Sequence, residues 1–374
     1  MPTNVTIEKE FGSTLNGRKI CCWGCGEHFK TIVKPFLEIS GFSKYVIYLL
    51  DTNKAGQHVS IGERDIIVAH PNVLKTISSR DFVILICVED YVSIAKIIEE
   101  DNYISKFDYY NGSLLGIMYS DNLLLENQKP PLHYRKNVIE RIPKVINAIW
   151  LSDKPLSAMP DLYKYCVESW EKYCPDYKIK IWGIDDYHSS CEYFNEAIGA
   201  QKWAFASDYA RTDILYQYGG IYMDLDEEVI SSIDDLIYNE AFIGFESSFY
   251  ISCGCIGAVK KNKILEKIRE SYLKDHFIKE DRTYNLTTSP KRYTEILLEH
   301  GLQLNGDFQF VDDITIYPFE VLTAKSCHSG KIYKTKHTYA MQHYNGSWMS
   351  EKKEILRQKQ YETIDKILQG GFLF

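Results

Sequence analysis

The chain has 374 residues, of which 45% are hydrophobic and 25% charged, and its formal net charge at pH 7 is −8. This length favours two domains, and the composition is that of a globular protein with an ample core. Because Lys and Arg are scattered among a majority of acids, the charge argues against nucleic acid as the main partner. With no long apolar stretch and no signal-peptide pattern, we expect a cytoplasmic protein whose 10 cysteines are thiols.

Residues 1–135 are predicted to form a small Rossmann-like domain. Apolar strands are predicted at 19–23, 45–50, 65–69 and 82–87, with helices at 27–40 and 92–100. This alternation predicts a doubly wound, largely parallel sheet. The polar, proline-containing stretch 128–131 is the predicted linker to the next domain.

A glycine pair in this first domain invites comparison with a dinucleotide site. Gly24 and Gly26 follow the first strand, and Asp51 ends the second, where such a site places its glycine-rich turn and ribose-binding acid. Phe29 stands where the third glycine of that fingerprint belongs. We therefore expect a scaffold or acceptor-handling domain, and keep an NAD- or nucleotide-sugar-dependent enzyme as the alternative.

Residues 136–350 are predicted to form a second α/β domain. Strands are predicted at 141–150, 178–182 and 242–245, and helices at 161–174 and 203–218. Residues 351–374 are predicted to form a helix and a tail. Docking against the rest of the protein is the simpler role for that helix, and weak association with a membrane surface is the alternative.

The most informative stretch follows the helix that Gly219 and Gly220 end. An apolar run leads to Asp224 and Asp226, and alternation along an extended strand predicts that both carboxylates lie on one side. Two converging carboxylates favour a divalent cation, and oxygen ligands suit Mn²⁺ or Mg²⁺, whose shell is commonly completed by water and phosphates. The pattern therefore predicts a site for a nucleoside diphosphate.

Asp208 and Arg211 lie on the helix that runs into this strand. They are three residues apart and share one helical face, so that an acid and a guanidinium stand behind the predicted metal site. A surface ion pair, worth a fraction of a kcal/mol, is the alternative interpretation of these two residues.

Several separated blocks occur together in one order along the second domain. They are Ile142-Pro-Lys144, Ile149-Trp150, Ser169-Trp170, Pro175-Asp-Tyr177, Ile181-Trp182, Ser207-Asp208 with Arg211, Tyr218–Asp226, and His343 with Gly346-Ser-Trp348. On these residues the region 141–350 resembles glycosyltransferase family 32, the DXD-containing sugar transferases, and more distantly the glucosylating domain of the large clostridial toxins. The resemblance implies a GT-A fold and retaining, metal-dependent transfer of a hexose from a nucleotide-diphosphate sugar, with a UDP-sugar favoured.

The resemblance also implies an acceptor, a location and residue roles. The acceptor is a glycan or a lipid-linked glycan in surface polysaccharide synthesis, made in the cytoplasm or at the inner face of the membrane. The implied roles are stacking on the donor base for Trp150, contact with the donor for Ser207, sugar hydroxyls for Asp208 and Arg211, ribose and diphosphate for Tyr222 and Asp224, direct metal binding for Asp226 with support from Asp224, and a closing loop for Ser347 and Trp348.

Four further residues have weaker assignments. His343 is either a third metal ligand or a packed histidine, because imidazole accepts Mn²⁺. Glu246 is a candidate acceptor contact, and Glu227 and Glu228 are predicted to be solvated residues at a strand end. No protein nucleophile and no oligomeric state are assigned. A sugar-nucleotide-binding protein without turnover is the alternative from a different functional class.

Overall fold

The structure, a computed structural model, describes residues 7–126 and 139–346, together with residues 355, 357–359, 361 and 362. The chain divides into two compact units. The first ends at residue 123, the second covers residues 124–358, and the chain from residue 359 onward is assigned to the first unit. The predicted linker at 128–131 and most of the predicted tail helix lie outside the described residues. Among the described residues, no helix combines the length and the apolar character that crossing a membrane requires.

The first unit contains a parallel sheet, as its alternating sequence predicts. Its strands are β1 (Lys19–Trp23), β2 (Val46–Leu50), β3 (His58–Ile61), β4 (Arg64–Ile67), β5 (Phe82–Ile86) and β6 (Tyr109–Asn111). Its helices are α1 (Ile7–Leu15), α2 (Lys34–Ile39), α3 (Tyr91–Glu100) and α4 (Gly112–Glu126). The four-stranded sheet has the order β2-β1-β5-β6 with parallel neighbours throughout.

Two details of this unit differ from the prediction. The strand predicted at 65–69 overlaps β4, which pairs with β3 in a separate antiparallel hairpin, while Ala69 beyond β4 forms a parallel bridge with Leu50 of β2. The helix predicted at 27–40 is a π-helical stretch, Phe29–Val33, that continues into α2. Pro35 lies at the start of α2, and its missing N–H gives a physical reason for the altered hydrogen-bond pattern before it.

Asp51 is engaged by the backbone of its own unit. One carboxylate oxygen accepts from the N–H of Cys25 at 3.0 Å, and the other accepts from the N–H groups of Asn53 at 2.9 Å and Lys54 at 3.2 Å. These bonds tie together the turns that follow β1 and β2. The contacts favour a structural role for Asp51 over the binding of a ribose, since a ribose site needs a carboxylate directed at its ligand.

The second unit is a larger mixed α/β structure. Its strands are β7 (Val145–Trp150), β8 (Lys178–Gly183), β9 (Gly220–Met223), β10 (Glu227–Val229), β11 (Ala241–Gly244), β12 (Cys255–Ala258), β13 (Gln309–Val311), β14 (Ile314–Tyr317) and β15 (Ala340–Gln342). Its helices are α5 (Asp161–Tyr173), α6 (Glu192–Gly199), α7 (Trp203–Tyr218), α8 (Lys263–Leu273), α9 (Ser289–Glu299) and α10 (Phe319–Leu322). The α/β class expected from the sequence is confirmed in both units.

Seven strands of this unit form one sheet with a core on each face. The order is β13-β14-β11-β12-β9-β7-β8, in which β7 is parallel to both β8 and β9 and β12 is antiparallel to β9. Ile149 and Tyr222 belong to the apolar cluster that contains α7, whereas Ile146 and Ile221 belong to the opposite cluster around Trp170. Burial on both faces explains the nearly continuous apolar strands.

The aspartate pair lies in a turn, not in an extended strand. β9 ends at Met223, and the N–H of Glu227, the first residue of β10, donates to the carbonyl of Asp224 at 2.9 Å. The alternation argument for Asp224 and Asp226 is therefore wrong in its backbone geometry. What brings the two carboxylates into the same region is the turn between β9 and β10.

Gly220 offers a test of how tightly the start of β9 is packed. Its φ is +103°, and an added Cβ would lie 2.7 Å from the carbonyl oxygen of Val145 and 2.9 Å from Nδ2 of Asn147. We expect Gly220→Ala to lower the free energy of unfolding by about 2 kcal/mol or more, through backbone strain and this overlap. Chemical denaturation followed by circular dichroism measures the change.

Gly199 provides the matched control for that substitution. It is the last residue of α6, and an added Cβ there meets no atom within 4 Å. Gly199→Ala should leave stability within about 0.5 kcal/mol of wild type or raise it slightly, since alanine favours helix more than glycine does. Equal losses in the two variants would contradict the close approach described at Gly220.

Candidate functional site

Three predicted residues lie near the carboxyl ends of two neighbouring parallel strands. β7 pairs with β9 so that Asn147 is opposite Tyr222, and the strands then lead to Trp150 and to Asp224, respectively. In open α/β sheets this edge is where ligands bind, because loops from several strands meet there. The topology therefore supports the grouping that was expected from the sequence.

Arg211 joins the carboxylates of two different elements. Its Nη2 lies 3.0 Å from Oδ1 of Asp208 on the same helix, and its Nη1 lies 3.4 Å from both oxygens of Asp224 in the turn after β9. Nη1 also donates to the carbonyl of Cys253 at 2.7 Å, and the guanidinium lies over the ring of Tyr222 at 4.8 Å. The pair of Asp208 and Arg211 is thus buried in the site, and its interpretation as a surface ion pair is wrong.

Burial sets the electrostatics of this group. Burial acts to lower the pKa of Arg211, but Asp224, Tyr222 and Asp208 together raise it well above its ordinary value. Burial also raises the pKa of Asp208, and Arg211 is the main group that acts against this shift. A buried charge costs several kcal/mol unless it is paired, so each partner depends on the other for its charged state.

Tyr222 supports Asp224 from the strand below it. The Tyr222 side chain is buried, and its hydroxyl donates to Oδ1 of Asp224 at 2.6 Å. The backbone N–H of Asp224 donates to the carbonyl of Gly254 at 2.8 Å. The position of Asp224 is therefore determined by β9, by the segment before β12 and by α7 through Arg211.

Asp226 is held by a segment more than 100 residues further along the chain. Nε2 of Gln342 donates to its Oδ1 at 3.0 Å, and the backbone N–H of Asn345 donates to its Oδ2 at 2.7 Å. The N–H of His343 donates to the carbonyl of Asp226 at 2.9 Å. Antiparallel pairing of β10 with β15, with Glu227 opposite Gln342, delivers these groups to the turn.

The charge of the aspartate pair is suited to a cation. Burial and the neighbouring charge of Asp224 raise the pKa of Asp226 to about 6, although the hydrogen bond from Asn345 opposes the shift. Among the described residues, no group of three or more His, Cys, Asp and Glu side chains is arranged to hold a metal ion. Two carboxylates nevertheless fit an ion of the Mg²⁺ type, which is commonly bound by one or two carboxylates with water and substrate phosphates.

His343 faces a glutamate in the structure. Its Nε2 lies 2.9 Å from Oε2 of Glu228, whose Oε1 accepts a hydrogen bond from the hydroxyl of Tyr165 at 2.8 Å. Glu228 is therefore paired on both oxygens, and the expectation of a solvated strand-end residue is wrong for it. The contact gives His343 a structural partner, and its role as a third metal ligand stays a prediction.

Glu227 differs most from its expectation. A solvated side chain was predicted, but Glu227 is fully buried. It lies on the inner side of β10, and Glu228, the next residue, lies on the other side and is partly exposed. Within the part of the chain that the structure describes, neither of its carboxylate oxygens has a hydrogen-bond partner. Burial raises the pKa of Glu227 well above its ordinary value, and the charges of Asp226 and Asp224 add to that shift.

Trp150 and Ser207 differ in how far their contacts agree with the roles predicted for them. Trp150 is half-buried, its Nε1 donates to the carbonyl of Lys154 at 3.0 Å, and Tyr163 meets it edge-on with ring centroids 6.1 Å apart. The Nε1 hydrogen bond holds the indole at one edge, and the stacking of a base on its face stays a prediction. Ser207 donates through Oγ to the carbonyl of Trp203 at 2.9 Å within its own helix. This hydrogen bond gives no support to the predicted contact of Ser207 with the sugar donor.

Glu246 lies in the same electrostatic environment as the aspartates. Burial raises its pKa to about 7, and the charge of Asp224 adds to the shift while a hydrogen bond from Cys327 opposes it. Its assignment as an acceptor contact stays a prediction. The predicted closing loop, Ser347 and Trp348, lies outside the described residues.

Sequence reasoning missed several residues that shape this site. Gln342 and Asn345 bind Asp226, and Ser289 binds Asp208. The first two flank His343 and the Gly346-Ser-Trp348 block, which is the signal that could have pointed to them. Ser289 precedes Pro290 at a helix start, but nothing in that pattern indicates which residue it contacts.

Part of this unit is similar to known proteins. Residues 160–243 match the family model described as a glycosyltransferase sugar-binding region containing a DXD motif. Inositol phosphoceramide mannosyltransferases 2 and 3 of Schizosaccharomyces pombe are each 25% identical to the chain, over 191 and 160 residues. These alignments cover 47% and 41% of this chain and 52% and 44% of the relatives, so the chain spans about half the length of the curated relatives it matches.

Two solved structures share a weaker likeness. PaToxG glycosyltransferase is 20% identical with a TM-score of 0.36, covering 48% of this chain and 74% of that one. A glycosyltransferase involved in glycosylation of the major capsid of PBCV-1 is 12% identical with a TM-score of 0.32, covering 59% and 99%. The resemblance to DXD glycosyltransferases is confirmed through the sugar-binding region, and the α/β class is established by the chain's own strand order.

The buried ion pair makes a prediction about stability. Arg211→Met should lower the free energy of unfolding by roughly 3–5 kcal/mol, because it leaves Asp208 buried without its cation. Adding Asp208→Asn removes the stranded charge, so the double variant should recover part of the loss. Urea unfolding of the wild type, both single variants and the double variant gives the coupling energy. Losses that simply add would contradict the pairing.

Proposed function

We propose, on the premise that residues 160–243 carry a glycosyltransferase sugar-binding region with its DXD motif, that the protein is a metal-dependent, retaining glycosyltransferase. It moves a hexose from a nucleotide-diphosphate sugar, with a UDP-sugar favoured, to a glycan or lipid-linked acceptor in surface polysaccharide synthesis. The second unit, with a GT-A arrangement, is the catalytic part, and Mn²⁺ or Mg²⁺ is the metal.

One observation carries this proposal. A single buried guanidinium, that of Arg211, holds Asp208 on α7 and Asp224 after β9, while Asp226 follows two residues later. Asp208 therefore lies on the helix, and Asp224 and Asp226 lie in the turn after β9. The arrangement provides an acceptor of hydroxyl hydrogen bonds next to a place for a cation, which are the two features a sugar diphosphate needs.

The proposed reaction breaks the bond between the anomeric carbon and the diphosphate oxygen, and the electron pair leaves with the diphosphate. The acceptor hydroxyl oxygen bonds to the same carbon on the same face, and its proton passes to an oxygen of the leaving diphosphate. A divalent cation held by Asp224 and Asp226 would neutralise the negative charge that develops on the leaving diphosphate. Gln342 and Asn345 keep Asp226 oriented, and Arg211 favours the ionised form of Asp208 against the rise in pKa that burial causes.

The names of the relatives bear on the substrates. Both curated relatives are named as mannosyltransferases of inositol phosphoceramide, which supports a hexose as the transferred group and a lipid-linked acceptor. GDP-mannose therefore belongs in the donor screen beside the UDP-hexoses. A location at the inner face of a membrane is part of the proposal, since a lipid-linked acceptor requires access to a lipid surface.

The metal role is tested by Asp226→Asn. The variant should lose at least about 100-fold in metal-dependent donor hydrolysis, because it removes a carboxylate that would hold the cation, and the cation offsets the negative charge that develops on the diphosphate. Release of nucleoside diphosphate from UDP-glucose, UDP-galactose, UDP-N-acetylhexosamines and GDP-mannose is followed with Mn²⁺, with Mg²⁺ and with chelator. Asp235→Asn is the control, since Asp235 is an exposed acid whose described contact is to the hydroxyl of Tyr339. Activity unchanged in Asp226→Asn would refute the metal assignment.

The base-stacking role is tested by Trp150→Ala. Loss of a stacking surface should weaken nucleotide binding roughly 5- to 150-fold, corresponding to about 1–3 kcal/mol for one base. Trp150→Phe keeps an aromatic face and should retain most of the affinity. Calorimetry with UDP and GDP measures both variants. If Trp150→Ala binds both nucleotides as the wild type does, the indole does not stack on a base.

A further inference from the structure

Ser289 makes two hydrogen bonds to the carboxylate of Asp208. Its Oγ donates to Oδ1 at 2.9 Å, and its backbone N–H donates to Oδ2 at 3.3 Å. Ser289 is the first residue of α9, and its exposed fraction is only 2%. It lies outside residues 160–243, so the family match does not include it. A residue from a later part of the chain thus acts directly on the acid for which we propose contact with the donor sugar.

Helix packing determines where Ser289 lies. One turn further along α9, the hydroxyl of Tyr293 lies 2.6 Å from Oγ1 of Thr212 on α7. Ser289 and Tyr293 are four residues apart, as are their partners Asp208 and Thr212, so that matching faces of the two helices meet in register. A third hydrogen bond holds α9 in place, in which Oγ1 of Thr294 accepts from the backbone N–H of Ile251 at 2.9 Å. The contact to Asp208 is therefore built into the fold.

The two carboxylate oxygens of Asp208 have different contacts. Oδ1 accepts a hydrogen bond from Oγ of Ser289 and forms an ion pair with Nη2 of Arg211 at 3.0 Å, whereas among the described residues Oδ2 accepts from the N–H of Ser289 alone. An ionised carboxylate offers about four acceptor positions, two on each oxygen. The guanidinium of Arg211 and the hydroxyl of Ser289 therefore both lie against Oδ1, and by the described contacts Oδ2 is the more open oxygen for a further donor.

We propose that Ser289 is a positioning and specificity-determining residue of the donor site. By bonding one oxygen through its Oγ and the other through its N–H, it holds the carboxylate of Asp208 in one orientation, with Oδ2 as the oxygen that a hydroxyl of the donor sugar reaches. Removal of the Oγ would make Oδ1 more open as well and hold the carboxylate by fewer bonds. Sugars that differ in the orientation of one hydroxyl would then be discriminated less. This inference rests on the proposed function, because it assumes that Asp208 faces the donor sugar.

Ser289→Ala tests the inference, and Tyr293→Phe is its matched control. Both variants remove one buried hydroxyl from the interface of α7 and α9, but only the first hydroxyl contacts Asp208. The probes are two epimeric pairs, UDP-glucose with UDP-galactose and GDP-mannose with GDP-glucose. Affinity by calorimetry and kcat/KM for donor hydrolysis are measured for each, with UDP and GDP alone as references.

We expect Ser289→Ala to reduce the preference between epimers about tenfold, in keeping with the loss of one hydrogen bond to a charged group, which contributes about 1.5 kcal/mol or more. Its affinity for UDP and GDP should stay within about twofold of wild type, since the nucleotide is bound elsewhere. Tyr293→Phe should keep the wild-type preference even where its thermal stability falls.

Two results would overturn the inference while the proposed function stands. One is an unchanged epimer preference in Ser289→Ala, and the other is an equal loss of preference in Tyr293→Phe, which would assign the effect to helix packing alone. Failure of the proposed function has a different signature, namely wild-type protein that binds these donors and hydrolyses none of them with either metal. In that case the affinity ratios still decide the role of Ser289.

Discussion

The buried guanidinium of Arg211 is the interaction on which the site depends. It neutralises Asp208 within its own helix and reaches Asp224 in the turn after β9, and it also donates to the carbonyl of Cys253. An unpaired charge in this position would cost several kcal/mol. The relative position of α7, the end of β9 and the segment before β12 therefore follows from one requirement, that buried charges be paired.

A second constraint comes from the return of the chain to the aspartate turn. β15 pairs with β10, and the residues around it supply hydrogen bonds to both side-chain oxygens and to the carbonyl of Asp226. The same pairing buries Glu227 and places Glu228 between Tyr165 and His343. A carboxylate that is oriented before a ligand arrives has less freedom to lose on binding, which is how a preorganised site gains affinity.

Particular elements show why some predictions succeeded and others failed. The helix predicted at 203–218 has the bounds of α7, because an unbroken helical run ends at Gly219, whose φ is +71°. The aspartates after β9 were placed on an extended strand by alternation, yet the backbone turns there. Alternation is a local rule, and the turn is stabilised by partners such as Gln342 and Asn345 that lie far away in sequence.

The sequence by itself determined the α/β class, the position of the long helix and the identity of the acids and the guanidinium, since periodicity and residue chemistry are local properties. Only the tertiary structure decided that Arg211 is buried between two carboxylates, that Asp226 is held from more than 100 residues away, and that Ser289 contacts Asp208. Glu227 and Glu228 show the reason most clearly. They are adjacent and chemically alike, but strand pairing turns one into the core and the other toward a histidine.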